Sequence, residues 1–216
     1  MQTLHLATIL LLSLSSNLDN IGVGVSYGVR KVNIPFTSNL LIAIITSSGT
    51  FLSILLGQSI YRFISPEMAG LLGGSIIIAA GIWVIFQEKV MCRGKEPHEE
   101  KPLVAETGLS RFGFRHVVSI LNNPIIADWD LSGHIDLKEA TALALGLTLN
   151  NIPNGVGAGM LGLSPILTTI SVFFFSIITI WIGISSGIFG FHRLGKLSGV
   201  ISGLILIFIG VYEIFL

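Results

Sequence analysis

The strongest constraint on the fold is a series of six apolar stretches, each long enough to cross about 30 Å of hydrocarbon as a helix. Only 11% of the 216 residues are charged, whereas soluble domains carry about 25% charged residues. The chain is therefore predicted to be an all-α membrane protein with six transmembrane helices. They are predicted over residues 4–29, 38–63, 68–86, 137–159, 165–190 and 197–216.

Lysine and arginine are unevenly distributed among the connections between these stretches. Of the 12 basic residues, all except Arg62 lie in or beside the connections that follow the first, third and fifth stretches. Because positive residues collect on the cytoplasmic side of a membrane, these three connections are expected to face the cytoplasm. Both chain termini are then expected outside the plasma membrane.

Composition and motifs also argue against several functions. The formal net charge is zero, and no basic stretch predicts nucleic-acid binding. The single cysteine, Cys92, cannot form an internal disulfide. The sequence shows no glycine-rich phosphate loop, no nucleophile–base arrangement and no zinc-protease motif, so an enzyme is not expected.

A pattern recurs in the two halves of the chain. Asp19, Asn20 and Ile21 are repeated 131 positions later as Asn150, Asn151 and Ile152, and glycines 24 and 28 as glycines 155 and 159. Glycines 70, 74 and 81 recur at an offset of 129, as glycines 199, 203 and 210. With the orientation above, residues 1–86 and 137–216 are two inverted three-helix repeats, joined by a cytoplasmic loop over 87–136. The Gly-x-x-x-Gly pairs predict close helix packing, although glycine is also common in membrane helices.

Polar residues near the middle of both halves form the first candidate site. A carboxylate near a bilayer centre costs about 2.5–3.5 kcal/mol on insertion scales, so it usually serves a function. Asp19 would supply an anionic oxygen, and Asn20, Asn150 and Asn151 would supply neutral carbonyl oxygens; such ligands suit Mg²⁺, Ca²⁺ or Mn²⁺. The alternative is a buried aspartate that is held by interhelical hydrogen bonds to asparagine, with no ion.

Residues 128–139, the acidic loop, fit the twelve-residue EF-hand calcium loop. Gly133 would make the sharp turn at position six, and Glu139 would be the bidentate ligand at position twelve. The other predicted ligands are Asp128, Asp130 and Ser132 at positions one, three and five, the His134 carbonyl at seven and Asp136 at nine through water. The alternative is a solvated acidic loop that caps the fourth helix, for which Asp136 is a good N-cap.

The two candidate sites share the fourth helix. Asn150 follows Glu139 by 11 residues, or about 16 Å along a helix, which is roughly half of the hydrocarbon thickness. An ion in the acidic loop is therefore expected to be coupled to the midplane site through this helix.

The two halves, each opening on a leucine-rich helix with Asp or Asn before a Gly-Val-Gly run, resemble the MntP-like putative manganese efflux pumps. The acidic loop before the fourth helix is similar to that of the YtaF branch, the sporulation membrane proteins. The resemblance implies a six-helix exporter of Mn²⁺ or a similar ion. The family pattern has an acidic residue in both halves, whereas this chain has Asp19 in one half and Asn150 in the other.

The leading hypothesis is a divalent-cation transporter that works by alternating access, with Ca²⁺ or Mn²⁺ in the acidic loop biasing the fourth helix. The main rival is a non-transporting membrane ion sensor or scaffold linked to sporulation. An amino-acid exporter of related architecture is disfavoured, because no second fixed charge awaits an α-amino or carboxylate group. The expected partners are the ion and the lipid bilayer, and assembly into a homo-oligomer is left open.

Overall fold

The computed structural model describes residues 2–93, 120 and 127–215. The described residues form six long helices, which confirms the all-α prediction for this part of the chain. They are α1 (Gln2–Val29), α2 (Phe36–Tyr61), α3 (Pro66–Arg93), α4 (Leu137–Met160), α5 (Pro165–Ile188) and α6 (His192–Phe215). The largest departures from the predicted bounds are at the end of α3, which continues past Phe86, and at the start of α6. Between α3 and α4, only Ile120 and residues 127–136 of the predicted loop are described.

Length and hydropathy identify five of these helices, all except α4, as candidate membrane spans. Asparagines and Pro153 lower the hydropathy of α4, and Asn151 and Asn154 are buried inside the bundle. Nevertheless α4 runs the length of the bundle. Just before it, Ile135 N–H donates to the Asn33 carbonyl ahead of α2 at 3.0 Å; just after it, the Leu163 carbonyl accepts from Gln58 Nε2 near the end of α2 at 3.2 Å. A sixth membrane crossing stays a prediction.

The helix ends follow local sequence. Pro66 and Pro165 are the first residues of α3 and α5, where the missing N–H of proline removes no helical hydrogen bond. Gly162 and Gly190 follow α4 and α5 with φ of 71° and 83°, a left-handed conformation that glycine adopts readily at a helix C-terminus. The local sequence therefore determines where these helices begin and end, whereas tertiary contacts determine which helices pair.

The helices pack in pairs that recur between the two halves. α1 packs mainly on α5 and α6, while α4 packs mainly on α2 and α3; α3 also packs on α6, and α2 on α5. Exchanging α1, α2 and α3 with α4, α5 and α6 maps this set of pairs onto itself. The first three helices therefore make the same set of pairwise contacts as the last three.

Glycines allow close approach in the α1–α5 and α2–α4 pairs. A Cβ atom added to Gly24 on α1 would lie 2.6 Å from the Ile180 carbonyl oxygen on α5. A Cβ atom added to Gly155 on α4 would lie 2.6 Å from Ser53 Cβ on α2. Both distances are too short for non-bonded atoms, so these positions require glycine unless the helices separate.

The α3–α6 pair is equally close. A Cβ atom on Gly74 would lie 2.7 Å from the Gly210 carbonyl oxygen, and one on Gly203 would lie 2.5 Å from the Gly81 carbonyl oxygen. The predicted close packing is confirmed at Gly74 and Gly203. At Gly70 the nearest atom to an added Cβ is 4.0 Å away, so this member of the Gly70-x-x-x-Gly74 pair has room for a side chain.

Candidate ion sites

Asp19 on α1 and Asn150 on α4 meet directly inside the bundle. Asn150 Nδ2 donates a hydrogen bond to Asp19 Oδ2, and the backbone N–H of Asn20 donates to Asp19 Oδ1 at 2.9 Å. Both the Asp19 and Asn150 side chains are half-buried. The structure therefore brings these two predicted residues together, with the amide nitrogen of Asn150 directed at the carboxylate.

The other two predicted asparagines are more deeply buried. Asn20 is 1% exposed, and its Nδ2 donates to Asn17 Oδ1 at 3.1 Å. Asn17 Nδ2 in turn donates to the Ser13 carbonyl at 2.8 Å, so these hydrogen bonds continue along α1 away from Asp19. Asn151 on α4 is 2% exposed. The amide nitrogen of Asn20 is thus used within α1 rather than at the Asp19–Asn150 contact.

Asn154 carries an unpartnered oxygen one helical turn beyond Asn150. Its side chain is 4% exposed, and its Oδ1 is buried without a hydrogen-bond partner in the part of the chain that the structure describes. Such a group bears its full desolvation penalty of about 1–3 kcal/mol. Because residues four apart lie on the same face of a helix, Asn154 extends the polar face of α4 that begins at Asn150.

Three carboxylates gather at the start of α4. Asp128, Asp130 and Glu139 each place an oxygen within 4.8 Å of the others. Glu139 is fully buried and Asp128 is 7% exposed, while Asp130 is exposed. Among the described residues, Asp128 Oδ1 is buried without a hydrogen-bond partner. Carboxylates this close repel one another, and a hard cation that takes oxygen ligands at about 2.3–2.6 Å could bridge them.

Glu139 is held in place by the backbone on two sides. Its Oε1 accepts from the Trp129 N–H and its Oε2 from the Asp136 N–H, both at 3.0 Å. Asp136 Oδ1 accepts from the Glu139 N–H at 2.8 Å, which completes a capping box at the start of α4. The predicted N-cap role of Asp136 is confirmed.

Local hydrogen bonds set the turn of the acidic loop. The Ser132 N–H donates to Asp130 Oδ1 and Ser132 Oγ donates to the His134 carbonyl, both at 2.9 Å. Gly133 has a φ of 75° and Leu131 a φ of 55°, so the backbone turns sharply where position six was predicted. The hydrogen bonds from Ser132 hold the pKa of Asp130 below its ordinary value. The Asp130 carboxylate is therefore favoured in its charged form.

The connection between α1 and α2 pairs with the acidic loop, a contact that the sequence analysis missed. The Asn33 N–H donates to the Gly133 carbonyl at 2.9 Å, and the Asn33 carbonyl accepts from the Ile135 N–H at 3.0 Å. The pairing is a single parallel bridge. Ser38 Oγ on α2 also donates to the Ile135 carbonyl at 2.8 Å. A single bridge of this kind produces no repeat and no characteristic spacing in the sequence, so the sequence did not predict it.

Apolar packing also ties the loop to the neighbouring helices. Tyr27 on α1, Ile42 on α2 and Ala140 on α4 are fully buried in one apolar cluster with Ile135 of the acidic loop. Full burial of an isoleucine side chain contributes about 1.5–3 kcal/mol relative to exposure to water. The acidic loop is thus part of the packed core at its end of the bundle.

Comparison with known proteins shows similarity to one protein family and to two individual proteins. Residues 1–85 match the family model described as "Putative manganese efflux pump". The chain is 34% identical to the probable sporulation protein YtaF of Bacillus subtilis (strain 168) over 216 residues, 98% of this chain and 100% of that protein. It is 34% identical to the putative manganese efflux pump MntP of Oceanobacillus iheyensis over 76 residues, 35% of this chain and 41% of that protein. No solved structure matches the chain.

Proposed function

Because this chain belongs to the MntP family of putative manganese efflux pumps, with its full-length similarity in the YtaF branch, we propose that it is a membrane transporter that exports Mn²⁺ or a similar divalent cation. The ion binds at a site formed by Asp19, Asn20, Asn150 and Asn151 near the middle of the membrane. A cytoplasmic ion in the acidic loop is coupled to this site through α4.

The contact between Asp19 and Asn150 is the observation that carries the proposal. It sets one fixed negative charge of α1 against a neutral amide of α4. A half-turn of the Asn150 amide exchanges its nitrogen for its oxygen, and that oxygen can ligate a hard cation beside the carboxylate. Asn154 Oδ1, buried and unpartnered on the same helix face, is a further acceptor for an ion that passes along α4.

Contacts between equivalent residues support two inverted repeats. Thr46 Oγ1 and Ser176 Oγ, which are 130 positions apart in sequence, lie 3.5 Å apart. Asp19 and Asn150, 131 positions apart, also touch. Equivalent residues that touch each other lie near a two-fold axis, and transporters built from inverted repeats bind their substrates at that axis and expose it alternately to the two sides.

The ends of the chain support an even number of crossings. Thr8 Oγ1 near the start of α1 donates to Glu213 Oε1 near the end of α6 at 3.0 Å. The start of α1 and the end of α6 therefore lie at the same end of the bundle, opposite to the acidic loop. With the positive-inside rule, we place the acidic loop in the cytoplasm and both termini outside.

The acidic loop is proposed as an EF-hand-like site for Ca²⁺ or Mn²⁺. The carboxylates of Asp128, Asp130 and Glu139 supply the charge. The neutral oxygens are those of Ser132 and the His134 carbonyl, and Asp136 contributes through water. Glu139 lies in the first turn of α4, so an ion there restrains the helix that carries Asn150.

Two observations favour the second candidate, a membrane ion sensor or scaffold linked to sporulation. The hydrogen bond from Asn150 satisfies the Asp19 carboxylate without an ion, and the relative that matches over its full length is named as a sporulation protein. In this alternative the acidic loop still binds its ion, but no ion crosses the membrane.

Counterflow of Mn²⁺ in proteoliposomes separates the two functions. We expect the wild-type protein to exchange Mn²⁺ and Asp19→Asn to lose this exchange while remaining folded, because removal of a desolvated carboxylate relieves its burial penalty. Glu213→Gln is the matched control, since it neutralises another carboxylate on a membrane helix outside the proposed site. Wild-type exchange by Asp19→Asn would mean that the carboxylate is structural, and no exchange by the wild type would favour the sensor.

A further inference from the structure

We propose that an ion in the acidic loop also restrains the linker of residues 30–35, which connects α1 and α2 and pairs with that loop, so that the ion holds the ends of α1 and α2 as well as α4. This inference rests on the proposed ion site in the acidic loop. It adds a second route, through the linker, by which that site acts on the membrane helices.

The first step is the backbone pairing. Asn33 uses both its N–H and its carbonyl on the acidic loop, at 2.9 Å to Gly133 and 3.0 Å from Ile135. The paired segment lies between the Ser132 and Asp136 positions of the predicted ligand set. An ion that draws the ligands together therefore also fixes the backbone that the linker binds.

The second step is the short attachment of the linker to α1. The Tyr27 carbonyl accepts from the Arg30 N–H at 3.1 Å and from the Val32 N–H at 3.0 Å. Lys31 between them has a φ of 58°, so the chain turns tightly at the end of the helix. A displacement of the linker therefore also moves the end of α1.

The third step is the attachment to α2. The Asn39 N–H donates to the Pro35 carbonyl at 3.0 Å, which joins the end of the linker to the first turn of α2. Ser38 Oγ in the same turn donates to the Ile135 carbonyl at 2.8 Å, and Ser38 is 2% exposed. The acidic loop therefore binds the linker and the start of α2 at one point.

The consequence concerns the midplane site. Asp19 precedes Tyr27 by eight residues on α1, about 12 Å at the rise of an α-helix. Asn150 lies about 16 Å from Glu139 on α4. Both helices that carry the Asp19–Asn150 contact are held at the same end by the acidic loop, so an ion in the loop restrains this end of the bundle. By linkage, the paired linker also raises the affinity of the loop for its ion.

Hydrogen exchange measured by mass spectrometry with and without Ca²⁺ tests the inference on the full chain in nanodiscs. For amides that exchange only after ion release, Ca²⁺ at about 100 times its dissociation constant slows exchange by up to about 100-fold. We expect this slowing in a peptide over residues 30–35 as well as in one over residues 128–139. Glu139→Gln, which weakens ion binding in the loop, should reduce both effects in parallel at the same Ca²⁺ concentration.

Two variants at one position isolate the linker. Asn33→Pro removes the N–H that binds Gly133, so Ca²⁺ should slow exchange in the loop but much less in the linker. Asn33→Ala keeps both backbone groups and should behave as the wild type. Should Asn33→Pro fail to fold, Ser38→Ala removes the second tie to Ile135 and should reduce the effect at the start of α2.

The possible outcomes separate a missing effect on the linker from a missing ion site in the loop. Slowing in the loop alone, with an unchanged wild-type linker, would overturn the inference and leave the ion site intact. No slowing in either peptide would remove the ion site and the inference with it. Equal slowing of the linker in Asn33→Pro and wild type would show that the effect does not pass through this pairing.

Discussion

The side-chain amide of Asn150 donates to the carboxylate of Asp19 and joins α4 to α1 inside the bundle. The two residues occupy equivalent positions in the two halves of the chain, yet only one of them is charged. The contact explains how a lone carboxylate is accommodated there, because a hydrogen bond to the charged oxygen offsets part of its desolvation. It also identifies Asn150 as the position at which a second negative charge would interact with Asp19.

Asn150→Asp should strengthen divalent-cation binding at the midplane site. Two carboxylates would then face one dication, and their attraction for it adds. In the empty site they repel each other, so one holds a proton that the ion must displace. Affinity should therefore fall as pH falls, more steeply than in the unsubstituted protein. Titration calorimetry in a Glu139→Gln background isolates this site from the acidic loop. Unchanged affinity and unchanged pH dependence would show that residues 19 and 150 do not face one ion.

Glu139→Gln should weaken ion binding in the acidic loop by more than about tenfold. One charge close to a dication is worth several kcal/mol even at an effective dielectric constant of about 20, and about 1.4 kcal/mol is a tenfold change. Terbium luminescence sensitised by Trp129, the second residue of the loop, reports this binding. Glu67→Gln, a carboxylate in the first turn of α3, is the matched control and should leave the titration unchanged. Equal terbium affinity in both variants would exclude Glu139 as a ligand.

Gly74→Ala should destabilise the bundle, whereas Gly70→Ala should not. The added Cβ at Gly74 meets the Gly210 carbonyl oxygen at 2.7 Å, while the one at Gly70 has no neighbour closer than 4.0 Å. Overpacking costs about 1–3 kcal/mol, and replacement of glycine by alanine in a helix gains about 0.5–1 kcal/mol. Thermal unfolding in detergent should therefore show a lower midpoint for Gly74→Ala and an equal or higher one for Gly70→Ala. A higher midpoint in both variants would indicate that helix propensity, not contact, decides, and a similar loss in both would contradict the space for a side chain at Gly70.

A reporter fused after Leu216 should be extracytoplasmic, and one inserted within residues 95–101 should be cytoplasmic. The expectation follows from the basic residues, all but one of which lie on one side. Both insertion points lie outside the described residues, so the experiment depends on sidedness alone. A cytoplasmic reporter at the C-terminus would reverse the assignment, and reporters on the same side of the membrane would contradict six crossings.

The long helices follow from the amino-acid sequence alone, because apolar runs of this length in lipid must satisfy their backbone groups internally. The α4 cap does too, since Asp136 and Glu139 form their capping box within one turn. The repeat singled out Asp19 and Asn150 before any contact was known. These features depend on near neighbours or on composition.

Which helices touch, and where each polar group is directed, depends on how the helices pack in three dimensions. This packing placed Gly24 of α1 against α5, turned the Asn150 amide toward Asp19 and left Asn154 Oδ1 unpartnered among the described residues. It also bound Asn33 of the linker to the acidic loop, which no pattern foretold. Backbone pairing between distant segments needs no particular side chains, so it leaves no pattern in the sequence. Helix pairing depends on the fit of whole surfaces rather than on any one motif.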